Sequence, residues 1–352
     1  MNRWLKLFLG FAVTGVCLWW TFKDTRWTEM WAALTSANWL VLLPWAGISL
    51  IIHLCRVWRW GNLMSGLEKV PFKKLNEASA IGFMMLIILP FRLGEFARPF
   101  LIAQRSTIRR SAAMTSVVLE RIVDGMLMAI VLRVLVFFLP EGAPNIVAIR
   151  VAANVMFLVF SSGLTFLLLA RWQHDRVIGL MRVVGNRISA KLTERAVTIV
   201  DGFVGALRQL PDAKNMAMFF LLTAIYWGFN GLGMVVVASG FDCSGGNNAA
   251  CAPMSLDLFQ GFVVLGALIV GMMIPAAPGS AGTFQSSVMI ALGAFLPASV
   301  VNSSGVAYAN ALWVLQMIQQ IATGLLFLGL SNTTFSDVAG KLREDQKKGE
   351  DE

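Results

Sequence analysis

The residues with the most chemical potential form two short charged runs inside apolar sequence. The first is Ile88-Leu89-Pro90-Phe91-Arg92-Leu93-Gly94-Glu95-Phe96-Ala97-Arg98-Pro99, in the middle of an apolar segment over about 78–103. The second is Leu119-Glu120-Arg121-Ile122-Val123-Asp124, inside another apolar run. A charge at the centre of a membrane helix costs about 2.5–3.5 kcal/mol on insertion scales, so ionisable groups there mark a functional site by default. Pro90 removes a backbone donor and Gly94 permits a turn, so the first run should break its helix. Broken backbone at membrane depth survives only when it is buried in protein or lines a wet cavity. Glu120 and Asp124 stand one helical turn apart on one face, with Arg121 rotated by about 100°. Arg92, Glu95 or Arg98 should therefore lie within salt-bridge reach of Glu120, Arg121 or Asp124. The alternative is a structural ion network that secures the helices and touches no ligand.

The elements that must position these groups are membrane helices. The chain has 352 residues, 57% of them hydrophobic and 14% charged, with mean hydropathy +0.69; a soluble domain carries about 25% charged residues. Spanning runs occur at about 5–22, 39–56, 113–139, 146–170, 216–239 and 305–330, and two interrupted ones at 78–103 and 258–296. This predicts an all-α polytopic membrane protein with about six spanning helices and two re-entrant helical hairpins. The first run follows Arg3 and Lys6 with no small-x-small cleavage site, so an uncleaved first helix is expected. Trp19, Trp20, Trp27, Trp31, Trp39, Trp58 and Trp60 edge the first two helices as an interfacial belt.

Basic residues set the orientation. They cluster in the 56–77 connection (Arg56, Arg59, Lys69, Lys73, Lys74), after Arg105, and through 171–214, and are absent from 140–145, 240–257 and 297–304. Lys23 and Arg26 in the 23–38 connection are the exception. The positive-inside rule places both termini in the cytoplasm of a cell with this protein in its plasma membrane. Lys73 and Lys74 fall on the same side as Arg105 and Arg109, so 78–103 should enter and leave on that side, while 258–296 dips in from the other. The two breaks share an apolar-Pro-x-x-x-Gly frame at Leu89–Gly94 and Ile274–Gly279, consistent with an inverted pair.

The second break, Pro275-Ala276-Ala277-Pro278-Gly279-Ser280-Ala281-Gly282-Thr283-Phe284-Gln285, is polar without charge. Ser280 or Thr283 should cap a helix restarting near Phe284, and a half-helix N-terminus suits an anion such as phosphate. A purely structural break is the equal alternative. The 171–214 connection alternates apolar and basic residues as an amphipathic surface helix does. Residues 1–335 read as one integral membrane domain, and 336–352 as a polar cytoplasmic tail. Cys243 and Cys251 share an external loop and are a candidate disulfide. Basic residues clustered between apolar runs, not in a stripe, suit a positive-inside membrane protein and not a nucleic-acid binder, and the presence of only two histidines argues against a His-based metal or catalytic site. No cofactor is expected.

Three motifs carry a resemblance. Pro90-x-Arg92-x-Gly94-Glu95-x-x-Arg98, Glu120-Arg121-x-x-Asp124 and Pro275-x-x-Pro278-Gly279-x-x-Gly282-x-Phe284 resemble, in order and spacing, the signatures of the lysylphosphatidylglycerol synthase transmembrane family. This is the flippase-like region of multiple-peptide-resistance proteins and their stand-alone relatives. The chain has Ser280 where the family often has a second Gly and Gln285 where an acidic residue usually follows the Phe, which removes any carboxylate role there. Nothing here corresponds to the family's soluble aminoacyl-transferase domain, so that activity is not carried over. What the resemblance implies is a non-enzymatic protein that binds and translocates a phosphate-headed lipid, anionic or aminoacylated. Arg92, Arg98 and Arg121 would engage phosphate, with Glu95, Glu120 and Asp124 orienting them. Pro90, Gly94, Pro275, Pro278, Gly279, Gly282 and Gln285 would shape the path. The rival readings are an intramembrane lipid-modifying enzyme using Glu95 and Glu120 as acid and base, and an accessory protein of a lipid- or envelope-synthesis partner.

Overall fold

The computed structural model describes residues 3–89, 94–139, 141–142, 144–187, 189–190, 193–194, 197, 200, 204–205, 211–242, 252–274, 276 and 278–331. It is an all-α membrane protein. The helices are α1 (Arg3–Phe22), α2 (Trp27–Ser36), α3 (Leu42–Met64), α4 (Phe72–Ile88), α5 (Ala97–Arg105), α6 (Arg110–Phe137), α7 (Ile146–Trp172), α8 (His174–Gly185), α9 (Ala213–Ser239), α10 (Leu258–Met273), α11 (Thr283–Leu292) and α12 (Ala298–Leu330). Among the described residues four helices, α3, α7, α9 and α12, are both long and apolar enough to cross a membrane. The 20 residues of α1 and 28 of α6 give lengths of about 30 and 42 Å, which match a bilayer's thickness by length alone. Helix starts follow local chemistry. Asp212 accepts from the Asn215 N–H at 2.9 Å to cap α9, and Asp257 and Gln260 form a reciprocal capping box on α10.

Polar contacts gather the connections into two ends. At one end the Glu68 carboxylate accepts from Thr107 N–H and Oγ1 at 2.8 and 2.6 Å, Lys74 Nζ donates to the Arg105 carbonyl at 2.7 Å, and Arg105 pairs with Glu77. Both arms of the α4–α5 hairpin thus begin and finish together, as the loop charges require. At the other end Arg26 N–H donates to Asn302, Asn38 N–H to Gly240, and Asn145 Nδ2 to Ile290. The 23–38 connection forms α2 and packs on a π-turn at Val301–Gly305. Its Arg26 is neutralised by Glu29 at 3.0 Å, which lets a basic residue sit beside the 140–145, 240–257 and 297–304 connections, themselves free of Lys and Arg.

Each break folds the chain back on itself. A Cβ on Gly94 would stand 2.0 Å from Leu86 N, so only glycine lets the returning strand of backbone lie on α4. In the second break Gly279 and Gly282 take φ of +69° and +84°, and Ser280 takes +53°. The helix then restarts at Thr283, close to the expected Phe284, but the expected Ser280 or Thr283 cap is replaced. The Gln285 side chain reaches back to accept from the Gly282 N–H at 2.8 Å, while Thr283 Oγ1 donates to the Ser280 carbonyl. Left-handed backbone at Gly279, Ser280 and Gly282 accounts for the change of partner, because it swings the preceding chain away from the first helical turn.

The largest correction concerns α3. It was expected to end near residue 56 and release Arg56, Arg59 and Trp60 to the interface. It continues to Met64, and Arg59 and Trp60 are 1% and 0% exposed. No Pro or Gly interrupts the chain from Ile48 to Trp60, and Val57, Trp60 and Met64 pack with Leu75, Ile81, Leu101 and Phe327, which holds this face inward. The other belt tryptophans, Trp19, Trp20, Trp27, Trp31, Trp39 and Trp58, are exposed as expected. Cys243, Cys251 and the tail from 336 lie outside the described residues, as do Pro90, Arg92 and Pro275.

Candidate functional site

Three helices build the charged cluster. On α6, Glu120 and Asp124 share a face and are 1% and 4% exposed. From α3, Arg59 lies across both: its Nη1 and Nη2 donate to Asp124 Oδ1 and Oδ2 at 2.6 Å each, and Nη2 also reaches Glu120 Oε1 at 2.6 Å. From α5, Arg98 Nη1 donates to Glu120 Oε2 at 3.1 Å. From α9, Trp227 Nε1 donates to Asp124 Oδ1 at 3.0 Å. The contact expected between Arg98 and Glu120 is present. Arg59, the central cation, was missed because it had been assigned to a loop.

Aromatic faces complete the environment. The Arg98 guanidinium lies 4.3 Å from the Trp60 ring centroid and 4.6 Å from that of Phe83. Arg59 lies 4.4 Å from Tyr226, and Arg56 lies 3.9 Å from Phe83 while donating to Tyr226 Oη at 3.2 Å. Such stacking is favourable for a desolvated guanidinium, by about 2 kcal/mol when water is excluded. Trp60 is itself held by its Nε1 donating to Ser116 Oγ at 3.0 Å.

This cluster forms part of the wall of a cavity of about 910 Å³. Arg56, Arg59, Glu95, Glu120, Arg121 and Asp124 border it, as do Leu89 beside the first break and Ala276, Pro278, Gly279 and Ser280 of the second. Described residues of both interruptions therefore border one space. Arg98 stands behind the wall. Gly282 and Gln285 also stand outside the lining; a Cβ on Gly282 would meet the Thr14 carbonyl of α1 at 2.8 Å, so the restarting helix abuts α1. Apolar lining comes from Leu265, Leu268, Ile269, Met272 and Met273 of α10.

Charge in the cavity is unbalanced. Among the described residues Arg56 and Arg121 form no ion pair, and the buried Arg121 Nε has no hydrogen-bond acceptor. Buried N–H groups without an acceptor cost about 1–3 kcal/mol each, so the arrangement favours an incoming oxyanion or water. Glu95 is engaged and lines the same space.

The family described as the lysylphosphatidylglycerol synthase TM region matches the chain over residues 7–319. No curated protein and no solved structure matches it.

Proposed function

The chain belongs to the lysylphosphatidylglycerol synthase transmembrane family, and from that premise we propose that it binds a phosphate-headed lipid and moves it across the plasma membrane. Its family and its apolar helices tie it to lipid handling in a membrane. The observation that carries the finer reading is the 910 Å³ cavity, which joins unpaired Arg56 and Arg121 to an apolar wall on α10. A phosphate oxyanion would dock on those two guanidinium groups, which favour bidentate contacts. Acyl chains would lie against α10. Arg59, Arg98, Glu120 and Asp124 would act as positioning residues that keep α3, α5 and α6 in register beneath the phosphate. The two breaks, Gly94–Glu95 and Pro278–Ser280, would form the changing part of the wall as the head group passes the midplane. Both termini would face the cytoplasm, on the Glu68–Arg105 side.

The test is a proteoliposome assay with a head-group-labelled anionic phospholipid and an impermeant quencher. Wild-type protein should expose inner-leaflet label to the quencher, and an Arg56→Ala, Arg121→Gln variant with unchanged melting temperature should not. Quenching by the wild type equal to that of protein-free vesicles would refute the proposal.

A further inference from the structure

On the cavity wall provided by α12, three amide side chains stand together. Gln316, Gln319 and Gln320 are spaced i, i+3 and i+4, one face of a helix, and all three line the cavity. None of their side chains has a hydrogen-bond partner among the described residues. The same stretch of α12 is fixed against the second break: Trp313 Nε1 donates to the Gly279 carbonyl at 2.8 Å, and a Cβ on Gly279 would meet Met317 Sδ at 3.0 Å. Three amides on one helix face, open to the cavity and without protein partners among the described residues, are available to a polar ligand. Each offers both a donor and an acceptor, the pattern that hydroxyl groups match.

The carboxylates argue in the same direction. A cationic head group would need an uncommitted acid in this space. Glu120 gives one oxygen to Arg59 and the other to Arg98. Asp124 gives both to Arg59, and one of them also to Trp227. Glu95 is engaged as well. At 285, where an acid would face the second hairpin, the amide is buried and accepts from Gly282. Among the described residues four arginines, Arg56, Arg59, Arg98 and Arg121, stand in or just behind this wall against three carboxylates, so an ammonium group would meet net repulsion there.

We infer that the head group this cavity selects is anionic and hydroxyl-bearing, with phosphate on Arg56 and Arg121 and its hydroxyls on the glutamine face of α12, and not a cationic aminoacylated one. The inference rests on the phosphate-lipid reading above and adds its selectivity. Two neutral hydrogen bonds correspond to a preference of about tenfold.

Full-length protein in nanodiscs would be titrated with phosphatidic acid, phosphatidylglycerol, phosphatidylinositol and lysylphosphatidylglycerol, with binding read by native mass spectrometry. The wild type should hold phosphatidylglycerol or phosphatidylinositol about tenfold more tightly than phosphatidic acid or the lysyl lipid. A Gln316→Leu, Gln320→Leu variant should bring the first ratio to within about twofold. Equal binding of phosphatidic acid and phosphatidylglycerol by the wild type, or preference for the lysyl lipid, would overturn the inference and leave the phosphate-lipid reading standing. Absence of any lipid bound by folded wild type would overturn both. If the double variant does not fold, the wild-type ratios alone decide.

Discussion

Replacing Arg59 by Met tests the charged cluster most directly. Arg59 is 1% exposed and supplies three hydrogen bonds of 2.6 Å to two carboxylates. Without it Glu120 keeps Arg98 at 3.1 Å, whereas Asp124 keeps only the Trp227 indole N–H. One carboxylate is then buried without a cation. Breaking a buried pair from one side costs about 3–5 kcal/mol. At this chain length about 2 °C of melting temperature corresponds to 1 kcal/mol, so the shift should be about 6–10 °C downward. Removing the orphaned charge too should recover most of this. In Arg59→Met, Asp124→Leu the remaining Arg98 and Glu120 balance one to one, and the residual loss is the Trp227 hydrogen bond, about 1 kcal/mol. The assay is thermal unfolding in detergent of wild type, both single variants and the double, closed as a mutant cycle. A double variant no more stable than Arg59→Met would refute the account of the cluster as a charge-balanced unit.

Other outcomes follow from the same geometry. Arg121→Gln should abolish lipid-dependent stabilisation yet move the melting temperature of the lipid-free protein by less than about 2 °C, since among the described residues Arg121 holds no ion-pair partner that would be orphaned; a drop as large as that of Arg59→Met would show a structural role. Gly94→Ala should cost about 3 kcal/mol through its clash with Leu86, while Gly329→Ala, with nothing within 4 Å, should be neutral; equal melting temperatures would contradict the close approach. In a background with the four native cysteines replaced by serine, an impermeant maleimide on intact cells should label Asp242→Cys and spare Lys73→Cys and Thr107→Cys. Opposite labelling of the last two would dismantle the first hairpin.

The hairpins and half of the cluster were legible because their signals are violations of the membrane's rules. Charges and prolines in an apolar segment have few physical explanations, and loop arginines fix the side on which a segment begins. From these came the return of 78–103 to its starting side, now visible in the Glu68–Thr107 and Lys74–Arg105 contacts, and the pairing of Arg98 with Glu120. The same reasoning misplaced Arg59. An arginine just beyond an apolar run, flanked by Trp58 and Trp60, has the composition of a membrane interface, and composition does not distinguish an aromatic ring facing head groups from one lying under a guanidinium.

Charge bookkeeping held the missing signal. Glu120 and Asp124 on one buried face require two cations, and Arg98 is one; Arg121, on the same helix but rotated away, cannot fold back to both. The second cation had to come from another helix, and Arg59 follows Arg56 at helical spacing with no breaker between Val57 and Trp60. Extending α3 by about two turns answers the electrostatic deficit and buries the apolar face of Val57, Trp60 and Met64 at once. Neither consequence is local to residues 56–64, which is why helix periodicity alone did not reveal it. The same division separates the arginines: Arg59 and Arg98 have carboxylate partners and tie α3 and α5 to α6, whereas Arg56 and Arg121 have none among the described residues and border the cavity, which is why the proposal places the anion on them.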